Sequence, residues 1–125
     1  MIKGIHHISL KCASNKEYME ELFFYTQILG LEVAREWDTG MMIDLGNSCL
    51  EIFNNGKEQL PQGVIRHFAL AVDNVDYYVE EIRNAGYRIV MEPTDISIPT
   101  NPPYPACIAF CNGPIGEEIE LFCEK

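Results

Sequence analysis

The feature that most constrains the fold is an internal repeat of two apolar segments that each contain a histidine. The first segment, I-H-H-I-S-L-K-C, spans residues 5–12, and the second, I-R-H-F-A-L-A-V, spans residues 65–72. With an offset of 60 residues, His7 falls on His67, whereas the first histidine of the doublet falls on an arginine. The repeat therefore predicts two modules of the same plan, and it singles out His7.

The elements after each repeated segment follow the same order. In the first half, a helix is predicted from the capping box S-N-K-E (14–17) to Gly30, where a left-handed residue would end it. In the second half, a helix is predicted from D-N-V-D (73–76) to Gly86. Short strands bounded by turn residues are predicted over 5–12, 31–37, 41–45, 49–53, 65–72, 87–91, 106–111 and 117–123.

The sequence thus predicts the α+β class, with two tandem βαβββ modules at about 1–56 and 63–125 in a single domain, 1–125. The segment 92–105 contains five prolines and is predicted to be irregular. Because compact domains rarely contain long irregular loops without a role, this segment is either a lid or pocket wall, or a plain surface loop.

Charge and composition exclude several classes of partner. The formal net charge is −10, and a surface this acidic repels phosphate backbones and anionic lipids, so nucleic-acid and membrane partners are not expected. No apolar run approaches the roughly 20 residues of a membrane span, and the first residues contain no apolar signal region. An odd number of cysteines, five, without a C-x-x-C pair indicates reduced thiols and a cytoplasmic location.

Strand alternation places one histidine and one glutamate of each half on the face opposite the aliphatic side chains. These four residues are His7, Glu51, His67 and Glu120. Two neutral imidazoles and two carboxylates form a neutral set around a divalent cation such as Ni²⁺, Zn²⁺, Co²⁺, Fe²⁺ or Mn²⁺. The alternative is that each is an ordinary solvated or core residue, but four matching coincidences favour a metal site.

Several segments resemble the glyoxalase/bleomycin-resistance/dioxygenase family, also called vicinal oxygen chelate proteins. The most specific are F-Y-T-Q-I-L-G-L-E-V (24–33) and N-G-P-I-G-E-E-I-E-L (112–121), supported by C-L-E-I-F (49–53) and I-R-N-A-G-Y (82–87). The resemblance implies a curved mixed sheet around a metal-binding cleft, with His7, Glu51, His67 and Glu120 as ligands. Within the family, this complete ligand set is similar to that of glyoxalase I.

The resemblance also implies an activity. The expected reaction converts the hemithioacetal of methylglyoxal and a small thiol to an S-2-hydroxyacyl thioester, through an enediolate that a bound metal ion would stabilise. One divalent ion per site is implied, Ni²⁺ or Zn²⁺, with Co²⁺, Mn²⁺ and Fe²⁺ as alternatives. Glu120 is the expected base. Glu51 either assists it or transfers the proton at the opposite face of the substrate. A homodimer is expected, with the cleft within one chain or shared between two.

Two further residues are implied to bind the substrate, Lys11 and Asn55. Lys11 stands where glutathione-using glyoxalases typically have an arginine, and lysine lacks the bidentate fork of a guanidinium. The identity of the thiol substrate therefore stays open. Two other functions also stay open: an acyl-CoA epimerase-like enzyme, in which glutamine typically replaces Glu51, and a small-molecule-binding protein without turnover.

Overall fold

A computed structural model describes residues 1, 3–61 and 63–125 of the chain. Its internal contacts divide it into two compact units, Met1–Pro61 and Gln62–Lys125. Each unit contains one four-stranded mixed sheet and one main helix. In the described part of the chain, no helix has the length and apolar character needed to cross a membrane.

The first unit follows the order β-α-β-β-β. Its elements are β1 (His7–Lys11), α1 (Asn15–Phe23) with a π-helical turn (Phe24–Ile28), β2 (Glu32–Trp37), β3 (Gly40–Asp44) and β4 (Cys49–Phe53). The strand order across the sheet is β1-β4-β3-β2. β1 is parallel to β4, and the other two pairs are antiparallel.

Local sequence explains where α1 begins and where this helical segment ends. Ser14 is the N-cap, and its hydroxyl accepts the backbone N–H of Glu17 at 3.2 Å. The Glu17 carboxylate reaches back to the N–H of Ala13 at 2.7 Å, one residue before the cap. At the other end Gly30 has a φ of 75°, which only glycine adopts without strain. Both predicted ends are confirmed.

The second unit repeats the plan. Its elements are β5 (Phe68–Ala71), α2 (Val75–Asn84), β6 (Ile89–Ile98), β7 (Tyr104–Asn112) and β8 (Glu118–Glu124), in the sheet order β5-β8-β7-β6. Asn74 caps α2 by accepting the backbone N–H of Tyr77 at 3.0 Å. Gly86, with a φ of 91°, follows the helix as Gly30 follows the first. The predicted α+β class with two βαβββ modules is confirmed.

The core of each unit lies between its helix and the aliphatic face of its sheet. In the first unit, Leu50 and Ile52 of β4 are fully buried, and in the second Ile119 and Leu121 of β8 are buried in the same way. The intervening glutamates are only half-buried and point to the other face. This alternation leaves one face of each sheet without a helix, and the candidate site residues lie there.

The predicted irregular segment 92–105 is mostly strand, so that prediction is wrong. β6 continues to Ile98 and β7 begins at Tyr104, which leaves a short connection containing a cis Asn101–Pro102 bond. Pro93 is tolerated because β6 is an edge strand and because this residue lies at a register shift between Met91 and Thr94, whereas three of the other prolines lie in the connection and Pro105 lies at the start of β7. A long lid is therefore absent from this segment.

Candidate metal centre

In the first unit, β1 and β4 bring His7 and Glu51 together. Parallel pairing aligns Ser9 with Glu51, so His7 lies one pleat away on the same face. The His7 Nε2 and Glu51 Oε1 atoms are 3.7 Å apart. The imidazole is 39% exposed and the carboxylate 14% exposed, so both side chains are partly accessible to solvent.

In the second unit, His67 and Glu120 form the equivalent pair. His67 lies directly before β5, and Glu120 on β8 is aligned with Ala69. The His67 Nε2 and Glu120 Oε2 atoms are 3.1 Å apart, with side-chain exposures of 38% and 12%. The His67 ring packs against the Phe110 ring in a nearly perpendicular contact, with ring centroids 5.1 Å apart. The predicted histidine–glutamate pairing therefore occurs in both units.

Both pairs have spacings that suit two neighbouring ligands of one cation. Nitrogen and oxygen ligands lie about 2.1 Å from a divalent transition metal, so adjacent ligand atoms are roughly 3.0–3.4 Å apart. The His67–Glu120 distance of 3.1 Å falls in this range, and the His7–Glu51 distance of 3.7 Å requires only a small side-chain rotation. The donor atoms, imidazole nitrogen and carboxylate oxygen, are also those that such metals accept.

Each unit brings together two of the predicted ligands, and two are too few for a stable metal centre. Among residues 1, 3–61 and 63–125, no group of three or more histidine, cysteine, aspartate or glutamate side chains could by itself hold a metal ion. Cys12 and Cys111 are fully buried, and the other three cysteines are half-buried. The structure thus describes one histidine–glutamate pair in each unit.

His6 has a role that the sequence pattern did not reveal. It lies directly before β1, is exposed, and contacts its neighbour. The Nδ1 atoms of His6 and His7 are 2.9 Å apart, a hydrogen-bond distance, and the rings are nearly perpendicular. A histidine that uses Nε2 as a ligand usually donates its Nδ1 proton to a nearby acceptor, which fixes the ring. The Nδ1 atom of His6 lies at hydrogen-bond distance from that of His7, and the tautomers of the two rings decide which of them donates.

The two predicted substrate-binding residues lie near the same end of the first sheet. The Lys11 ammonium lies over the Phe53 ring, 5.6 Å from its centroid. Asn55 is exposed in the segment after β4, and Gly56 next to it donates its N–H to the Cys12 carbonyl at 3.0 Å. This hydrogen bond ties the Asn55 segment to the end of β1.

The comparisons with known proteins concern the family and the fold of the chain. The model of the Glyoxalase/Bleomycin resistance protein/Dioxygenase superfamily matches residues 4–120. A superfamily member from Alicyclobacillus acidocaldarius is similar in structure, with a TM-score of 0.69 at 14% identity, covering 98% of this chain and 92% of that chain. No curated protein sequence matches.

Two similar structures carry enzyme names. Lactoylglutathione lyase from Agrobacterium tumefaciens has a TM-score of 0.68 at 12% identity, covering 98% of this chain and 94% of that chain. A glyoxalase I mutant from Zea mays has a TM-score of 0.74 at 23% identity, covering 93% of this chain and 43% of that chain. At these identities the likeness concerns the fold. With the family model matched over nearly its whole length, the chain belongs to the Glyoxalase/Bleomycin resistance protein/Dioxygenase superfamily.

Proposed function

We propose that this protein is a metal-dependent, glyoxalase I-like enzyme that isomerises the hemithioacetal of a 2-oxoaldehyde such as methylglyoxal and a small thiol. The product is the S-2-hydroxyacyl thioester. In this proposal His7, Glu51, His67 and Glu120 are the four protein ligands of one divalent cation, Ni²⁺ or Zn²⁺, drawn from one chain or from two chains of a homodimer.

One observation carries the proposal: the same histidine–glutamate pair recurs at the equivalent position of both units. The nitrogen–oxygen distances are 3.7 Å and 3.1 Å, and each carboxylate is much less exposed than its imidazole. A single such pair is common on protein surfaces. Two pairs at equivalent sheet positions, each with ligand spacing, favour a shared metal function.

The reaction is an isomerisation in which one proton moves between neighbouring carbons and the hydroxyl proton moves from the oxygen of the first carbon to the oxygen of the second, so no atom is gained or lost. A carboxylate removes the proton from the carbon that bears the sulfur and returns it to the adjacent carbon, which becomes the hydroxyl-bearing carbon of the thioester. Glu120 is the proposed base and Glu51 the assisting carboxylate. Their low exposure, 12% and 14%, limits exchange of the proton with bulk water.

The histidines and the remaining polar residues have supporting roles. The two imidazoles would hold the cation through Nε2, and a bound cation would supply Lewis-acid stabilisation of the substrate oxygens. Lys11 and Asn55 would bind the non-reacting part of the thiol. The lysine provides one positive charge and no bidentate fork, so a carboxylate on the thiol would be bound less rigidly than by arginine.

The test begins with metal-free protein, titrated with Ni²⁺ and with Zn²⁺ by calorimetry. The loaded protein is then assayed for thioester formation from methylglyoxal with glutathione, coenzyme A and a small neutral thiol. We expect binding of one metal ion per proposed site and turnover with at least one thiol. The variant Glu124→Gln, at the far end of the same strand as Glu120, is the matched control and should leave turnover unchanged.

The outcomes separate the proposal from its alternatives. Metal binding with proton exchange at an acyl-CoA thioester, but without thioester formation from methylglyoxal, would indicate an epimerase-like enzyme. The absence of metal binding, together with the absence of turnover, would contradict the proposal and leave a small-molecule-binding protein.

A further inference from the structure

A β-bulge in the first unit decides the direction of two side chains on an edge strand. The bulge lies between Val33 and Arg35 and shifts the pairing of β2 with β3 by one residue, so that Arg35 becomes the partner of Met42. Met42 is in turn the partner of Glu51 on β4. Bulges of this kind redirect side chains, and this one places Arg35 and Trp37 on the face that carries Glu51.

The Trp37 ring lies across the neighbouring strand. Its partner there is Gly40, and a Cβ atom at that position would lie 2.8 Å from Cζ2 of the indole. The indole Nε1–H donates to the Thr39 hydroxyl at 3.1 Å, which orients the ring. Beyond Gly40 the indole meets the ring of Phe53 in an edge-to-face contact, with centroids 5.8 Å apart. The absence of a side chain at Gly40 is what permits this contact.

On β1, the strand that pairs with β4, Lys11 extends this series of contacts beyond Phe53. Lys11 is the parallel partner of Phe53, and its ammonium lies 5.6 Å from the centroid of that ring, within cation–π distance. The stem of the lysine packs against Gly56, where an added Cβ would lie 2.9 Å from Lys11 Cγ. The backbone after β4 therefore confines Lys11 to the position over Phe53.

These residues form one continuous row across the sheet, which we call the aromatic row: Lys11, Phe53, Gly40 and Trp37. One residue comes from each of the four strands, and strand spacings of about 4.8 Å give the row a length of roughly 14 Å. The adjacent row on the same face contains Glu51, Met42 and Arg35, and Arg35 Nη1 lies 3.3 Å from Met42 Sδ. The aromatic row therefore lies beside the proposed catalytic carboxylate.

The charges on this face point to an anionic ligand. In a chain with a net charge of −10, the aromatic row and the row beside it contain two cations, Lys11 and Arg35, and one carboxylate, Glu51. Neither cation has an ion-pair partner in the part of the chain that the structure describes. By contrast, Lys16, Arg83 and Lys125 are each paired with a carboxylate. The two unpaired cations thus flank an apolar, aromatic surface.

The second unit has no such row, although its backbone is equivalent. At the positions that correspond to Lys11, Phe53, Gly40 and Trp37 it has Ala71, Phe122, Ile108 and Thr94. Only the phenylalanine is retained. The aromatic row is therefore a property of the first unit's side chains and not of the fold.

We propose that the aromatic row is a binding site for an anionic ligand with a flat apolar body, of the arylcarboxylate class. The ring of the ligand packs against Phe53 and Trp37, and its carboxylate pairs with Lys11, with Arg35 as the second cation. Because the row lies beside Glu51, such a group would be the non-reacting part of the substrate. This last step rests on the proposed function, whereas the binding itself does not.

Trp37 is the only tryptophan of the chain, so its fluorescence reports directly on this site. Metal-free protein is titrated with phenylacetate, with the neutral phenylacetamide and with acetate. We expect a saturable change with phenylacetate, roughly tenfold weaker binding of the amide because it lacks the charge-assisted contact, and no saturation with acetate. Equal affinity for the acid and the amide, or no saturation with either, would overturn the proposal.

Variants assign the effect to the row. Lys11→Gln should reduce the affinity for phenylacetate to that for the amide, and Phe53→Leu should weaken both ligands several-fold. Lys16→Gln, which removes an equally exposed type of charge from α1, is the matched control and should change neither. If Lys11→Gln and Lys16→Gln behave alike, the assignment to the row is wrong.

A metal titration separates this inference from the proposed function. Lys11→Gln should bind Ni²⁺ and Zn²⁺ as the unsubstituted protein does, since Lys11 is not a proposed ligand. Saturable phenylacetate binding to a protein without metal binding or turnover would remove the proposed function and retain the aromatic row as a binding site. Metal binding and turnover without phenylacetate binding would retain the proposed function and remove the aromatic row as a binding site.

Discussion

The two units share a backbone plan but differ in what their exposed sheet faces present. Both carry one histidine and one glutamate at equivalent positions. The first unit adds Lys11, Arg35 and Trp37, while the second adds the Tyr104 hydroxyl, which donates to the Glu124 carboxylate and thereby raises the pKa of the tyrosine. The comparison shows that the repeated elements keep one histidine–glutamate pair each, while the cations and the indole on the same face belong to the first unit only.

The largest effect is expected when each of the two equivalent carboxylates is replaced in turn by an amide, which tests whether the two units contribute equally. We expect Glu120→Gln to lower turnover about 10²–10⁴-fold because it removes the proposed base, and Glu51→Gln to lower it less. Turnover of the metal-loaded variants measures the effect, with metal content determined in parallel. Near-normal turnover of Glu120→Gln with metal bound would refute the assignment of the base.

A second test concerns how each histidine is positioned. His6 contacts Nδ1 of His7, whereas the His67 ring makes a nearly perpendicular contact with the Phe110 ring. We expect His6→Leu to weaken metal binding about 10-fold or more, as loss of a hydrogen bond to a ligand histidine does, and Phe110→Leu to have a smaller effect. Calorimetric metal titration gives the affinities, and imidazole ¹⁵N shifts show whether the tautomer of His7 has changed. Equal affinities for the two variants would show that the contact of His6 has no positioning role.

Replacing the glycine that ends each helical segment should destabilise the protein by the same amount in both units. Gly30 and Gly86 have φ angles of 75° and 91°, and an added Cβ meets no atom within 4 Å at either position. We therefore expect Gly30→Ala and Gly86→Ala each to lower the free energy of unfolding by about 1 kcal/mol through backbone strain alone. Urea unfolding measures both. A cost at only one position would show that the two units differ in backbone rigidity.

The smallest effect at neutral pH concerns Cys111, whose thiol is fully buried in the second unit. Burial, with a further contribution from Glu117, raises the pKa of this thiol from 9.0 to about 12. Since the folded-state pKa is the higher one, the neutral thiol contributes stability below pH 9 that is lost as the pH rises towards 12. Ile43 stands at the equivalent position of the first unit.

Alkaline pH should therefore destabilise the second unit more than the first. Hydrogen exchange followed from pH 8 to pH 10.5 should show earlier loss of protection in β7 and β8. The variant Cys111→Val, which has no ionisable group, should remove the difference between the units. A pH dependence that persists in Cys111→Val would assign the effect to another group.

Much of the fold could be predicted from the sequence because its signals are local. The caps at Ser14 and Asn74 and the glycine stops depend on a few adjacent residues, and alternation around Glu51 and Glu120 follows from strand geometry. The pairing of each histidine with its own glutamate could be predicted for the same reason, since both strands were identified with the correct faces.

The remaining features depend on contacts between strands, which local patterns do not encode. Simple alternation would place Val33, Arg35 and Trp37 on one face. The bulge in β2 instead places Val33 on the face opposite to that of Arg35 and Trp37. Likewise, the prolines of 92–105 indicated a loop because the sequence does not reveal that β6 is an edge strand, where a missing N–H is tolerated. The contact of His6 was missed because it arises one residue before the regular strand.

The bulge in β2 has a further consequence for how copies of this chain meet one another. A regular edge strand offers a row of unpaired N–H and C=O groups on which another chain can add a strand, and this is a common route to aggregation. β2 and β6 are both edge strands, and register shifts interrupt both of them. The irregularity that turns Trp37 towards the ligand face therefore also makes β2 a poor template for strand addition. A deletion of Ala34 that restored regular pairing would be expected to increase self-association.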